Sequence, residues 1–420
     1  MKPSGIEWIG DIPDDWEVTK IGQLYLERNE KVSDREYEAL SVTKHGILKQ
    51  LESAAKTDNG DNRKLVKSGD FVINSRSDRR GSCGISKFDG SVSLINIILM
   101  PTQKIANDYY NYLFRTENFA DEFYKYGNGI VDDLWSTKWT SMKKILVPFP
   151  SLRTQQRIAD YLDEKCGEID ATIAKQKESI EKLKAYKQSL ISETVTKGLD
   201  KSAPIKPSGI EWIGDIPAHW EVCKIKNHCN LKTGSTPSSK DLSMFDGAEN
   251  WFTPSDFTEN YMLKNSLRRL NAKVFDQNLV PIFPPLSVLI VGIGATTGKV
   301  GFTTSKSSSN QQITAIIPKD KNIFPKFLLF WMIANTKMMR ETALFTTLPI
   351  LNNDTLGNAT LLIPPYKEQL ELASYIENKN IEIDVIINKK QNIIQKLDAY
   401  KKSLIFECVT GKMFNLRRNL

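Results

Sequence analysis

The chain has 420 residues, a formal charge of +7 and a sequence pI near 8.9. Such a length exceeds one ordinary core and leads to an expectation of two or three domains. No apolar run nears the roughly 20 residues that cross a bilayer, MKPSGIEWIGDIP lacks the apolar segment of a secretory signal, and five scattered cysteines do not make a disulfide framework. The expectation is a cytoplasmic protein, away from membranes, with a mild lean toward a polyanionic partner.

In chain order, the first feature is IEWIGDIPDDWEV at 6–18. A body of mixed α and β character follows over 22–150. FVIN (71–74) reads as a strand. Phe88-Asp89-Gly90-Ser91 reads as a hairpin turn leading into an apolar strand over 92–101. DYYNYLFRTENFADEFYKYG (108–127) reads as one amphipathic aromatic helix closed by Gly127. After Pro148 and Pro150 comes a heptad pattern: Leu162, Cys166, Ile169, Ile173, Ile180, Leu183 and Leu190, with Gln176 and Lys187 completing the seam.

The opening phrase then returns as IEWIGDIPAHWEV at 210–222, an offset of 204. A second body carries strands at 288–294 and 313–318 and a helix over 325–343. Beyond Pro364-Pro365 a second heptad helix runs through Ile376, Ile383, Ile387, Ile394, Leu397 and Leu404, with Asn380, Lys390 and Lys401 in the seam. Residues 159–196 align with 373–410 at an offset of 214, so the chain is one unit made twice. The bodies, 22–145 and 226–360, show no alignment. Two apolar stripes of this kind predict that the long helices pack on each other antiparallel, each reaching about 65–70 Å.

Loops of the two bodies carry the residue types that meet base edges and phosphates. In the first body these are Arg63, Lys64, Asn74, Arg76, Arg79 and Arg80. In the second they are Ser235, Thr236, Ser238, Lys240, Thr253, Ser255, Thr296, Thr297, Lys299, Asn310 and Gln311.

Several motifs resemble catalytic ones and fail on inspection. GIGATTGK (292–299) is one residue too long for a phosphate loop, with Val300 where a magnesium-binding hydroxyl belongs. IPPY (363–366) lacks the side chain that would hold an amino group, and Glu377-Asn378-Lys379 rides the long helix. His219, Cys223, His228 and Cys229 are metal-ligand types in a short span, yet the first copy has Asp15, Thr19, Leu24 and Tyr25 in their places. The expectation is no catalysis and no metal.

The repeated IEWIGDIP phrase, VPFPSLRTQQRIADYLDEK and LIPPYKEQLELASYIENK resemble the specificity (S) subunit of type I restriction-modification enzymes. Pro364, Pro365, Glu368, Gln369 and Ala373 fit that family's P-P-x-x-E-Q-x-x-I/L-A pattern. The first copy keeps Gln155, Ile158 and Ala159 but has Thr154 for the Glu and Phe149-Pro150 for the prolines. The resemblance implies an α+β fold: two mixed α/β target-recognition domains joined by two long antiparallel coiled-coil helices, with a pseudo-two-fold internal repeat. The expected segments are recognition domain 1 at 1–150, spacer helix 1 at 151–197, a linker at 198–205, recognition domain 2 at 206–364, spacer helix 2 at 365–411 and a tail at 412–420. Ile169, Ile173, Ile180, Leu183, Leu190, Ile383, Ile387, Ile394, Leu397 and Leu404 would form the coiled-coil and subunit interface.

The same resemblance implies a subunit without catalysis of its own that reads a bipartite double-stranded DNA target, one half-site per domain. It would dock two modification (M) subunits and restriction (R) subunits. S-adenosylmethionine, ATP and Mg would belong to those partners. The alternative is a coiled-coil scaffold with two protein-binding domains.

Overall fold

A computed structural model describes residues 1–50, 60–102, 104–129, 135–238, 241–342, 344–345 and 349–413. The chain divides into two compact units, one of residues 1–177 with 391–420 and one of residues 178–390. Both long helices exist, over Leu152–Lys197 and Tyr366–Val409. The division falls inside each, so every unit holds a segment of both.

Unit 1 begins from the first phrase. Strand β1 (Glu17–Lys20) pairs antiparallel with β11 (Leu146–Phe149), which feeds the first long helix. The body between them is built on an antiparallel sheet of β2 (Tyr25–Glu27), β10 (Asn96–Pro101), β7 (Phe71–Asn74) and β8 (Cys83–Ile85), in that spatial order. Beside it β9 (Gly90–Val92), β6 (Arg63–Val66) and β3 (Lys31–Val32) make a second sheet, and β4 (Leu40–Thr43) with β5 (Gly46–Lys49) a hairpin. The aromatic segment is two helices, α1 (Asn107–Phe114) and α2 (Glu117–Lys125), not one. Thr116 breaks it, because its side chain accepts from the Phe119 N–H at 3.2 Å and caps α2. Nor is 88–91 a hairpin turn; Gly90–Val92 is a strand of its own, separated from β10 by residues 93–95.

Unit 2 repeats the plan. Strand β12 (Glu221–Lys224) pairs with β21 (Thr360–Ile363), which feeds the second long helix. Its sheet runs β13 (Cys229–Thr233), β20 (Ile313–Pro318), β17 (Ser287–Val291), β18 (Val300–Thr303) and β15 (Met262–Leu263). A second sheet holds β16 (Arg268–Leu270), β14 (Glu249–Phe252) and β19 (Ser307–Ser309), and α3 (Pro325–Thr342) covers the core.

The first four strands of the two main sheets match in order and in register. Cys83 faces Ile73 as Val300 faces Ile290, and Ile97 faces Ile73 as Thr314 faces Ile290. The numbering difference is 217 at every one of these positions. The bodies that do not align by sequence are therefore the same sheet. Over 71–101 and 288–318 they share only Ile73/Ile290, Gly81/Gly298, Gly84/Gly301, Ser91/Ser308 and Pro101/Pro318.

Within each unit the helix segments pack on each other and run antiparallel. In unit 1, Ile169 and Ile173 share a core with Ile394, Leu397 and Leu404, and Lys401 Nζ meets Asp170 at 2.6 Å. In unit 2, Leu190 shares a core with Ile376, and Lys187 Nζ meets Asp384 at 2.8 Å. Asp170 and Lys187 of one copy correspond to Asp384 and Lys401 of the other, so the duplicated frame makes the same contact reciprocally. Ile180, Ile383 and Ile387 are buried, and Leu183 is half-buried.

The phrase is written twice because each unit needs one to close a helix end. In unit 1, Ile9, Ile12 and Trp16 pack with Cys408 and Val409. In unit 2, Ile213, Ile216 and Trp220 pack with Ile191 and Val195. Each helix ends on a left-handed glycine, Gly198 at φ 70° and Gly411 at φ 75°. A side chain at Gly411 would strike Pro13 and Trp16, and one at Gly198 would press on Trp220. The retained glutamine makes the same two bonds in both copies, and Gln369 adds a third, to Asn322 O at 2.7 Å. Gln155 Oε1 accepts from Ala106 N–H at 3.0 Å just before α1, and Gln369 Oε1 from Phe324 N–H at 2.8 Å just before α3. Both side chains also donate to a proline carbonyl five residues back, Pro150 and Pro364.

Candidate nucleic-acid interface

The register sets the two highlighted loops in one place. Residues 75–82 connect β7 to β8, and residues 292–299 connect β17 to β18. The cationic cluster and the phosphate-loop look-alike are thus the same eight-residue turn in two copies. Gly81 and Gly298 sit near its end at φ 76° and 87°. A second pair of loops lies beside them: Ser93-Leu94-Ile95 between β9 and β10, and Asn310-Gln311-Gln312 between β19 and β20.

In unit 1, Arg76, Arg79 and Arg80 are exposed on the turn. Asn74 Oδ1 accepts from Arg76 N–H at 3.1 Å, Arg79 lies 3.6 Å from Asp78, and Arg80 is paired with Asp121 of α2. Three other candidates are structural. Arg63 is 5 % exposed and donates to Ser91 Oγ and Ser91 O at 2.8 and 3.0 Å; burial lowers its pKa from the ordinary arginine value. Lys64, 8 % exposed, is held by Glu27 and the Asn96 carbonyl at 3.0 and 2.9 Å. Asn74 is buried under the turn. Arg63 and Lys64 lie on β6 and Asn74 ends β7, and reading these residues as loop positions does not foresee their burial. The corrected assignment removes Arg63, Lys64 and Asn74 from the exposed surface.

In unit 2 the structure brings Thr236 and Gln311 together, with Thr236 Oγ1 donating to Gln311 Oε1 at 2.6 Å. Asn310 is half-buried, its amide donating to Gln312 Oε1 at 2.9 Å. Ser235 lends its carbonyl to Trp251 Nε1 at 3.0 Å; Ser238 is exposed. Thr253 donates to Asp256 at 2.9 Å in a short turn beside exposed Ser255. Thr296 is half-buried, and Lys299 Nζ donates to Phe257 O at 3.0 Å. Thr297 is another correction: it is fully buried and donates to Gly294 O at 2.6 Å, holding the turn from within. Lys240 lies outside the described residues.

Two supporting residues escape a reading of the sequence. Arg340, near the end of α3, donates to Ala295 O at 3.3 Å, and its stem covers Gly298. Nothing local in the sequence links it to a turn 45 residues away. The second is Gln312, whose side chain accepts from Asn310 Nδ2 and donates to Ile293 O, a bracing role that no spacing in the sequence shows.

The four metal-ligand types in and just after the second phrase part company. His219 bonds Glu368 at 2.8 Å, Cys223 bonds Leu361 O at 3.5 Å, His228 meets Asp320 at 3.3 Å, and Cys229 sits in the core with its thiol pushed up to about 12 by burial. Trp220 Nε1 also donates to Glu368, at 3.1 Å. In the first copy Thr154 stands there instead and bonds Ser151. No helix among the described residues is long and apolar enough to cross a membrane.

The chain is a doubled α/β frame in which each body builds the same sheet plan and puts unlike loops on it. The sequence profile of the family described as "Type I restriction modification DNA specificity domain" matches residues 13–184 and 217–397, and the chain belongs to that family. It is 24% identical over 430 residues to the "Type I restriction enzyme MjaVIII specificity subunit" of Methanocaldococcus jannaschii, covering 96% of this chain and 94% of that one. The EcoBI specificity subunit of Escherichia coli is 23% identical over 287 residues, 65% of this chain and 59% of that one. Among solved structures, a chain from a type I R-M system, studied for complex assembly and conformational transition, superposes with a TM-score of 0.72 at 14% identity, covering 95% and 98% of the two chains. The HsdS subunit of Thermoanaerobacter tengcongensis gives 0.54 at 15% identity, covering 96% and 98%. The chain is thus a type I specificity subunit, the non-catalytic component of such a system.

Proposed function

We propose that this subunit reads a bipartite DNA target, each body taking one half-site, and that the paired helices set the unread spacer. The observation carrying this reading is the common sheet whose turns, 75–82 and 292–299, occupy one place yet differ in chemistry. Guanidinium groups on one turn suit phosphate and guanine; hydroxyls and a nearby amide on the other suit different edges. Two M subunits and R subunits dock on the repeated frame and contribute S-adenosylmethionine, ATP and Mg. The adenine to be methylated leaves the stack inside the complex, so this subunit's part is placement. Two weak readers on one molecule gain from high effective concentration. The protein acts in the cytoplasm, where its DNA is.

The test is exchange of residues 22–145 for the matching body of a relative, in the complex with M subunits, followed by sequencing of the methylated sites. One half-site changes and the other stays. A change in both halves would refute independent readers, and no DNA shift with any duplex would favour a protein-binding scaffold. Arg76, Arg79 and Arg80 replaced together by Ala weaken binding and flatten its dependence on salt if the turn meets phosphate; an unaltered slope removes the turn from the interface.

A further inference from the structure

We propose that Gln311 reads an adenine and that Thr236 and Gln312 are positioning residues that fix how its amide meets the base. This rests on unit 2 being a DNA reader. Three neighbouring amide side chains sit in two roles. Asn310 Nδ2 donates to Gln312 Oε1 at 2.9 Å, and Asn310 Oδ1 accepts from Gln312 N–H at 3.1 Å. Gln312 Nε2 reaches across to Ile293 O at 3.3 Å, and Gly292 N–H donates to Gln312 O at 2.7 Å. These bonds lock the loop 310–312 to the turn 292–299. The backbone of Asn310 is tied as well, its N–H donating to Phe252 O at 3.0 Å. Asn310 and Gln312 are therefore committed inward.

Gln311 is exposed, on the crest of the braced loop. Its one bond among the described residues is from Thr236. The loop bearing Thr236 is itself fixed, because Gly234 donates to Ile313 O at 3.0 Å and lies so close to Ser309 that a Cβ would collide with it. Thr236 holds the oxygen end of the amide by one lone pair. A second lone pair and both N–H groups of this exposed side chain are left for a ligand. Adenine offers the matching pair in the major groove, an N6–H donor beside the N7 acceptor, whereas guanine sets two acceptors there and would oppose O6 to Oε1. An amide prevented from turning over discriminates between the two. The equivalent loop of unit 1 presents Leu94, 39% exposed, at this position, so the device belongs to one half-site.

The experiment selects bound duplexes from a random pool with the subunit assembled on its M subunits, then sequences them. The wild type fixes an A·T pair at one position of the half-site that unit 2 reads. Gln311→Ala relaxes that position, by on the order of ten- to a hundredfold in preference, and leaves the other positions and the second half-site alone. Gln311→Glu moves the preference toward cytosine, whose N4 donates. Thr236→Val and Gln312→Ala lower discrimination at the same position, and Thr236→Ser restores it, which a merely structural threonine would not require. If Gln311→Ala leaves every position unchanged, or weakens all sequences equally, the proposal is overturned while the DNA-reading function stands. If the wild-type complex selects no sequence at all, both fall together.

Discussion

The two bodies build one sheet plan twice and put a different surface on each copy. From Phe71 to Pro101 and from Val288 to Pro318 the strands keep the same register, yet the turn that offers Arg76, Arg79 and Arg80 in one offers Ala295, Thr296 and a buried Thr297 in the other. Bracing differs too. In unit 1 an arginine on the turn, Arg80, reaches the helix at Asp121; in unit 2 an arginine on the helix, Arg340, reaches the turn at Ala295 O. The lesson is that a sheet tolerates free exchange of its loops when strand pairing and a few backbone-level constraints, such as Gly81 and Gly298, are kept.

That comparison can be broken at the frame first. Trp16→Ala and Trp220→Ala each empty a fully buried site, at about 3–5 kcal/mol by urea titration of the full chain, and the two losses are alike if the frame is truly shared. Trp8→Ala costs more than Trp212→Ala, because Trp8 is 8% exposed and Trp212 37%; equal losses would show that the phrases are not equally seated. Gln155→Ala orphans the buried Ala106 N–H, and Gln369→Ala frees the half-buried Phe324 N–H together with the Asn322 and Pro364 carbonyls; each costs about 1–3 kcal/mol.

Glu368→Ala removes the partner of both His219 and Trp220 and costs roughly 1–2 kcal/mol. Thr154→Ala, its counterpart, stays within about 0.5 kcal/mol. A symmetric result would contradict the asymmetry of the two helix starts. Smallest are the reciprocal ion pairs. Asp170→Lys and Asp384→Lys each cost about 1 kcal/mol or less, since half-exposed pairs are weak. The double change Asp170→Lys with Lys401→Asp recovers the loss, and failure to recover would mean the pair does not set register.

The duplicated frame and the partnership of the long helices were decided by sequence alone. A thirteen-residue phrase and a heptad stripe are local and periodic, and an unbroken apolar stripe has to be buried against something. The kinship of the bodies was invisible, because a β-sheet is specified by alternation and pairing, which only five shared residues over 71–101 and 288–318 do not betray. Tertiary structure also decided which polar candidates are outward. Arg63, Lys64 and Thr297 look like loop residues in one dimension, and Asn74 like the rim of one, but long-range pairing of β6 with β9 and of β7 with β10 and closure of the turn after β17 bury them. Tertiary structure alone likewise placed Thr236 against Gln311, 75 residues apart in the chain, since no short-range rule connects loops that meet only through the strands between them.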